Sequence, residues 1–355
     1  MLTKRNNTKK IKIGRIEIGG GNPIAVQSMT KTKTSDIDAT VKQINELEKA
    51  GCQIVRSAVP DRESALALKE IKRQINLPLV ADIHFNHEHA IIAAESGVDK
   101  LRINPGNIGD PAKVRAVVKA AKDHGIPIRV GVNSGSLEKN LKKKYQGHVT
   151  AEALVKSALS NIKILEENDF HDIVISLKAT SVPMTIQAYL EISKKTSYPL
   201  HVGITEAGIP RTGMVRSAAG IGAILSQGIG DTIRVSLTGD PLEEVRVGYE
   251  ILKSMELTYH GVTIISCPTC GRADIDVVSI ANEIEERTRQ IKQPLSVAIM
   301  GCEVNGPGEA ADADVGLAAG MGVGLIFREG QIVRKVPEAE MIEALMDEIE
   351  SMTIR

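Results

Sequence analysis

A chain of 355 residues is long for one domain and comfortable for two, and 42% hydrophobic with 25% charged residues leaves ample apolar side chain for a core. The formal net charge is zero, so no whole-surface attraction favours a polyanionic partner, and any anion must be bound locally. With no Trp and 2% aromatic residues, the stacking surfaces that grip single-stranded nucleic acid are excluded. No apolar run approaches the ~18 residues of a membrane helix, and the basic start (Lys4, Arg5, Lys9, Lys10) leads into no signal-like segment, so no membrane partner and a cytoplasmic location are expected.

Residues 11 to 19 alternate apolar and polar with period two and predict a short hairpin, placed as a lid over one end of the barrel described next. Eight apolar runs then begin near Ile24, Gln53, Leu77, Lys100, Ile126, Asp172, Tyr198 and Thr232, each succeeded by a turn and an amphipathic helix. Ile37, Val41, Ile44 and Leu47 show the helical spacing, with Ser35 or Asp36 placed to cap the helix and Gly51 after its end. Eight strand–helix units predict a (β/α)8 barrel over residues 1–257, since such connections are right-handed and put the helices outside. An open doubly wound sheet is disfavoured because Gly19-Gly20-Gly21 precedes the first strand instead of coming after it.

From Thr258 the rhythm changes. Strands are expected at Val262 to Ser266, Leu295 to Gly301, Val315 to Leu317, Gly324 to Phe327 and Gln331 to Val336, with helices from Val277 to Ile291 and Glu338 to Met352. This predicts a small α+β domain over residues 258–355 with its own core.

In such a barrel, chemistry sits at the C-terminal ends of the strands. Arg56, Arg102, Arg129, Lys178 and Arg234 all fall there. One arginine would be read as a salt-bridged barrel residue, but five cations facing one space call for an anion, and diphosphate suits guanidinium forks. Asn104, Asn133 and Ser236 lie two or four residues after these cations and can share their face as hydrogen-bonding partners. Asp82 is expected to help position the substrate and Glu206, with Glu309 of the later loop, to act in catalysis, whereas His84 is equally well a satisfied rim histidine.

Three of the four cysteines lie beyond the barrel, in Cys267-Pro268-Thr269-Cys270 and in Gly301-Cys302-Glu303-Val304-Asn305-Gly306-Pro307-Gly308-Glu309. A CxxC pair and a later cysteine can close on one metal centre, and the Gly-Pro-Gly bend can bring Glu309 back as an exchangeable oxygen ligand. Zinc is the plain rival, yet no second CxxC and no His beside Cys302 supply its usual ligands, so a [4Fe-4S] cluster is favoured. Cys52 enters an apolar strand and is expected to be a buried small residue.

The CPTC pair and the later GCEVNGPGE resemble the cluster domain of the 4-hydroxy-3-methylbut-2-enyl diphosphate synthase family, and the similarity spans nearly the whole chain. The resemblance implies a two-electron reduction and dehydration of 2-C-methyl-D-erythritol 2,4-cyclodiphosphate, fed by flavodoxin or ferredoxin through the cluster. It assigns the cyclic diphosphate to Arg56, Arg102, Asn104, Arg129, Asn133, Lys178, Glu206, Arg234 and Ser236, with Asn305 from the cluster loop. It also implies a homodimer in which the barrel of one subunit faces the cluster domain of the other. The rivals are a pterin-dependent enzyme resembling dihydropteroate synthase, which leaves the cysteines unexplained, and an iron-sulfur sensor or scaffold without turnover.

Overall fold

The computed structural model describes residues 3–137, 145, 148–302, 312–320 and 322–353, and the chain divides into two compact units, Met1–Leu257 and Thr258–Arg355. The first opens with the expected hairpin, β1 (Ile11–Ile13) paired antiparallel with β2 (Ile16–Ile18). Eight strands come next: β3 (Ala25–Met29), β4 (Ile54–Ala58), β5 (Leu79–Asp82), β6 (Lys100–Ile103), β7 (Ile128–Asn133), β8 (Ile173–Lys178), β9 (His201–Val202) and β10 (Thr232–Ile233). They are parallel in the order β8-β7-β6-β5-β4-β3-β10-β9, and a parallel bridge between Ile175 and Leu200 joins the two ends of that order. This is the predicted barrel.

Its helices start where the sequence marks them. Asp36, Asp61, Asp110 and Asp240 each accept a backbone N–H of the first turn, and Pro111 and Pro241 occupy positions whose missing N–H costs nothing. Cys52 is buried, and burial pushes its thiol up to about 12, as suits an inert core residue.

Period two decides what enters the barrel. At its floor Ala25, Ile54, Val80 and Val174 pack with Ile11, Ile13 and Ile18 of the hairpin. One step further along the same strand faces the residues change character: Ile54 gives way to Arg56, Val80 to Asp82, and Val174 to Ser176 and then Lys178. The interior thus grades from aliphatic to ionic toward the C-terminal mouth. This departs from the branched aliphatic layers usual in such barrels.

The second unit has a five-stranded sheet of β11 (Val262–Ser266), β12 (Leu295–Met300), β13 (Val315–Gly320), β14 (Val323–Arg328) and β15 (Gln331–Pro337), in that order. The first three strands run parallel and the last two add antiparallel. Ile284, Val297, Ile299, Leu317, Ile326 and Leu345 are fully buried in a core belonging to this unit. Arg287 of the helix Val277–Thr288 forks onto Glu343 of Met341–Thr353 at 2.6 and 2.9 Å. The first of these helices stops three residues short of the expected end, where the Thr288 hydroxyl bonds back to the Ile284 carbonyl. The second is preceded by a 3-10 turn over Glu338–Glu340.

Candidate functional site

A cavity of about 150 Å³ opens at the C-terminal strand ends, lined by Arg56, Asp82, His84, Arg102, Arg129, Asn133, Ser176, Lys178, Thr205, Arg234 and Ser236. Alternation therefore brings all five predicted cations to one space. Two carboxylates organise three of them. Arg102 Nη1 lies 3.1 Å from Asp82 Oδ1 and Arg56 Nε 3.5 Å from Asp82 Oδ2. Burial alone would raise the Asp82 carboxyl, but Arg56 and Arg102 overcome it and hold the group well below the usual carboxylate range. Arg102 also donates to the Gly131 carbonyl at 3.3 Å, and its Nη1 stands 3.0 to 3.1 Å from both ring nitrogens of His84. A Cβ on Gly131 would come within 2.4 Å of Arg102 Nε, so this strand position must be glycine for the guanidinium to lie there.

Arg234 turns its Nε and Nη2 to the fully buried Glu244 at 3.0 to 3.2 Å, and its Nη1 donates to Ser236 Oγ at 2.6 Å. Arg129 is different. It is 1% exposed, and its Nε and Nη1 find no hydrogen-bond partner among the described residues. Burial, then Arg56 and Arg102, press its guanidinium below the ordinary range. Asp82 offsets this only in part, and a buried guanidinium beside other cations is unfavourable until an anion arrives.

Lys178 is buried as well and donates to His201 Nε2 at 3.3 Å, while the other ring nitrogen of His201 bonds Thr232 Oγ1 at 2.7 Å. Burial and four surrounding arginines lower the Lys178 ammonium, and burial with Arg129 and Lys178 keeps His201 neutral. Neutral His201 can then accept from Lys178 and donate to Thr232.

The other predicted barrel residues sit differently. Asn104 caps the turn Pro105–Ile108 through a 3.1 Å bond to Gly106 N, and it does not line this cavity. Glu206 is exposed, in the left-handed region at φ 53°, with Thr180 Oγ1 donating to its carboxylate at 3.2 Å. A non-glycine residue held there is strained, and such positions gather at functional sites.

In the C-terminal unit, β11 and β12 run parallel in register, Ser266 beside Ile299, so Cys267 and Cys302 lie just past neighbouring strand ends. Gly301 N–H points to Cys267 Sγ at 3.4 Å, a donor to sulfur of the kind that steadies a thiolate. Cys302 is buried and Cys270 exposed, and Thr269 between the CxxC cysteines is bent to φ 51°. The Arg272 backbone N–H pulls the Cys270 thiol below its ordinary range, aided by the Arg272 charge. No group of three or more His, Cys, Asp or Glu side chains among the described residues converges on a single ion. Soft sulfur donors at and just past adjacent strand ends suit a metal–thiolate group such as an iron-sulfur cluster. Glu309 and Asn305 lie outside the described residues.

Residues 8–249 match the family model of the GcpE TIM-barrel domain, and residues 263–351 that of the GcpE protein C-terminal domain. The chain belongs to the GcpE family. It is 59% identical over 351 residues to 4-hydroxy-3-methylbut-2-en-1-yl diphosphate synthase (flavodoxin) of Geobacillus thermodenitrificans, covering 99% of this chain and 94% of that one. The protein of the same name from Bacillus subtilis is 58% identical over 349 residues, covering 98% and 92%. Among solved structures, dihydropteroate synthase from Stenotrophomonas maltophilia superposes with a TM-score of 0.51 at 16% identity, over 70% of this chain and 97% of that one. That likeness establishes the barrel fold alone.

Sequence reading missed several residues of this GcpE barrel. Lys100 is fully buried, its Nζ unpartnered among the described residues. It shares a strand face with Arg102, and that alternation was the available signal. His201 sat in an apolar run with nothing to mark its contact with Lys178. Glu244 looked like any acidic residue in a first helical turn, which the helix dipole alone would favour. No helix among the described residues is long and apolar enough to cross a membrane.

Proposed function

We propose that this GcpE-family chain catalyses the two-electron reductive ring opening and dehydration of 2-C-methyl-D-erythritol 2,4-cyclodiphosphate to 4-hydroxy-3-methylbut-2-enyl diphosphate. The observation that carries the substrate half is the buried guanidinium of Arg129, whose Nε and Nη1 find no hydrogen-bond partner among the described residues, in a cavity it shares with four other cations. A cyclic diphosphate supplies the missing negative charge, and its oxygens match guanidinium geometry. Arg129 and Lys178 take the phosphate oxygens most directly. Arg56, Arg102 and Arg234 are held ready by Asp82 and Glu244 and stabilise the charge that grows on the departing phosphate as the ring opens. Loss of water requires a proton on the leaving oxygen, and Glu206 at the mouth and Glu309 are the candidate carriers.

The residues that would hold a [4Fe-4S] cluster are Cys267, Cys270, Cys302 and Glu309, and when bound it supplies electrons singly, with an iron that can open where a carboxylate exchanges. The proposal includes a homodimer in which one subunit's barrel meets its partner's cluster domain. It also includes a cytoplasmic setting, where cysteines stay reduced, and flavodoxin as electron donor, which the relatives' name supports; ferredoxin is the other donor compatible with the sequence. The pterin-dependent alternative rests on the shared barrel alone.

The test is an anaerobic assay of cluster-replete protein with the cyclic diphosphate and reduced flavodoxin, with identification of the product. Diphosphate binding with no product would leave a sensor or scaffold as the function.

A further inference from the structure

We propose that Glu244 is a positioning residue for diphosphate binding: it fixes the Arg234 guanidinium so that a single edge faces the cavity. The inference rests on the reading of Arg234 as a diphosphate ligand. Glu244 lies in the first turn of the helix Pro241–Ser254 and is fully buried. Its two oxygens receive Arg234 Nε at 3.2 Å, Arg234 Nη2 at 3.0 and 3.1 Å, Lys31 Nζ at 2.9 Å, Ser28 Oγ at 3.1 Å and the Leu237 backbone N–H at 3.0 Å. A carboxylate so deeply placed is tolerable only because every lone pair is used.

The helix start sets this up. Asp240 caps it, and the neighbouring Glu243 turns instead to Arg246. The Nε–Nη2 edge of Arg234 is committed to Glu244, so a ligand oxygen meets the guanidinium on the side of Nη1, which already donates to Ser236. Lys31, from the loop after β3, also donates to the Leu237 carbonyl, so one carboxylate ties together the loops beyond the adjacent strands β3 and β10. Two cations share that one carboxylate, so the cluster keeps a net positive charge, and an incoming phosphate is attracted rather than repelled by the assembly.

The experiment measures binding of inorganic pyrophosphate to the full-length protein by calorimetry, for the parent, Glu244→Gln, Glu244→Asp, Arg234→Ala and the Arg234→Ala/Glu244→Gln double variant. Circular dichroism verifies folding. Glu244→Gln places an amide N–H among donors and is expected to weaken binding by about tenfold or more, the scale of one charge-assisted hydrogen bond. Glu244→Asp keeps the charge and should fall between Gln variant and parent. In the Arg234→Ala background the Gln change should add no more than about twofold, because its partner is gone. Parental affinity in Glu244→Gln, or losses that simply add in the double variant, would overturn the positioning role. If Arg234→Ala alone binds like the parent, the ligand reading of Arg234 fails, which is a distinct result. Should the Gln variant not fold, the Asp variant carries the same cycle.

Discussion

At the barrel mouth three guanidiniums are fastened to buried carboxylates, Arg56 and Arg102 to Asp82 and Arg234 to Glu244, so their positions exist before any ligand does. The cysteines of the C-terminal unit are held more loosely: Cys270 is exposed on a turn bent through Thr269, and among the described residues only Cys267 shows a hydrogen bond from a neighbouring strand end. One region stores its cost as crowded positive charge awaiting an anion. The other carries soft donors whose final arrangement a prosthetic group would complete. Preorganisation of charge and assembly by a cofactor are separate physical solutions, and each fails in its own way.

The strongest test of the contrast removes a donor from the second region. Cys302→Ser should lose most iron and essentially all turnover, while circular dichroism and pyrophosphate affinity stay parental, because each unit has its own core. Unchanged iron per chain would break the ligand assignment.

Next in size, Arg129→Met should weaken pyrophosphate binding by about 1.5–3 kcal/mol for each charge-assisted bond lost. The same change removes a buried charge that Asp82 offsets only in part, so thermal unfolding without ligand should shift upward. A variant that lost both affinity and stability would mean that Arg129 has a structural partner.

Subtler still is Gly203→Ala. The added Cβ would stand 2.9 Å from Lys178 Nζ and 2.3 Å from the Arg234 carbonyl oxygen. Affinity should fall roughly tenfold with no charge removed. Binding within twofold of the parent would show that the cations need no fixed placement.

The smallest effect is in protons. The folded-state ammonium of Lys178 is lowered, so between that value and the unfolded one near ~10.4 the unfolded chain binds more protons, and ligand-free stability rises with pH across that window. An anion favours the charged form, so pyrophosphate binding should take up protons, as calorimetry in buffers of different ionisation heat would register. Lys178→Met should reduce the uptake. Asp82 runs the other way: its depressed carboxyl contributes stability that is present above about 3.9 and lost only as pH falls through its still lower folded value, so it stays charged through neutral pH. No proton uptake in the parent would contradict the lowered ammonium.

Much of this was legible in the sequence because period two and the strand count carry it. Arg102 and Arg129 sit in short apolar runs where alternation fixes which way each points, and eight such runs specify a barrel. What stayed hidden depends on long-range closure. Nothing near His201 announces Lys178, 23 residues away in sequence. Glu244 and Glu243 are adjacent and chemically equal, and only the helix's rotation against β3 and β10 buries one and leaves the other facing Arg246. The Asn104 side-chain oxygen serves the turn that begins beside it, while its amide nitrogen is buried without a partner among the described residues. Cys52 was correctly readable as inert, since its apolar surroundings are local in sequence.

The hairpin beneath the barrel has an electrostatic consequence. Ile11, Ile13 and Ile18 close the floor with aliphatic side chains, a medium in which field lines from Arg129, Lys178 and their neighbours are poorly screened and cannot spread into water below. The field emerges through the mouth, as light leaves a lamp with an opaque base. A dianion approaching in solution is then drawn in phosphate-first, and its capture should slow steeply with added salt, whereas a polar breach in the floor, such as Ile13→Asn, should blunt that dependence before it alters any contact in the cavity.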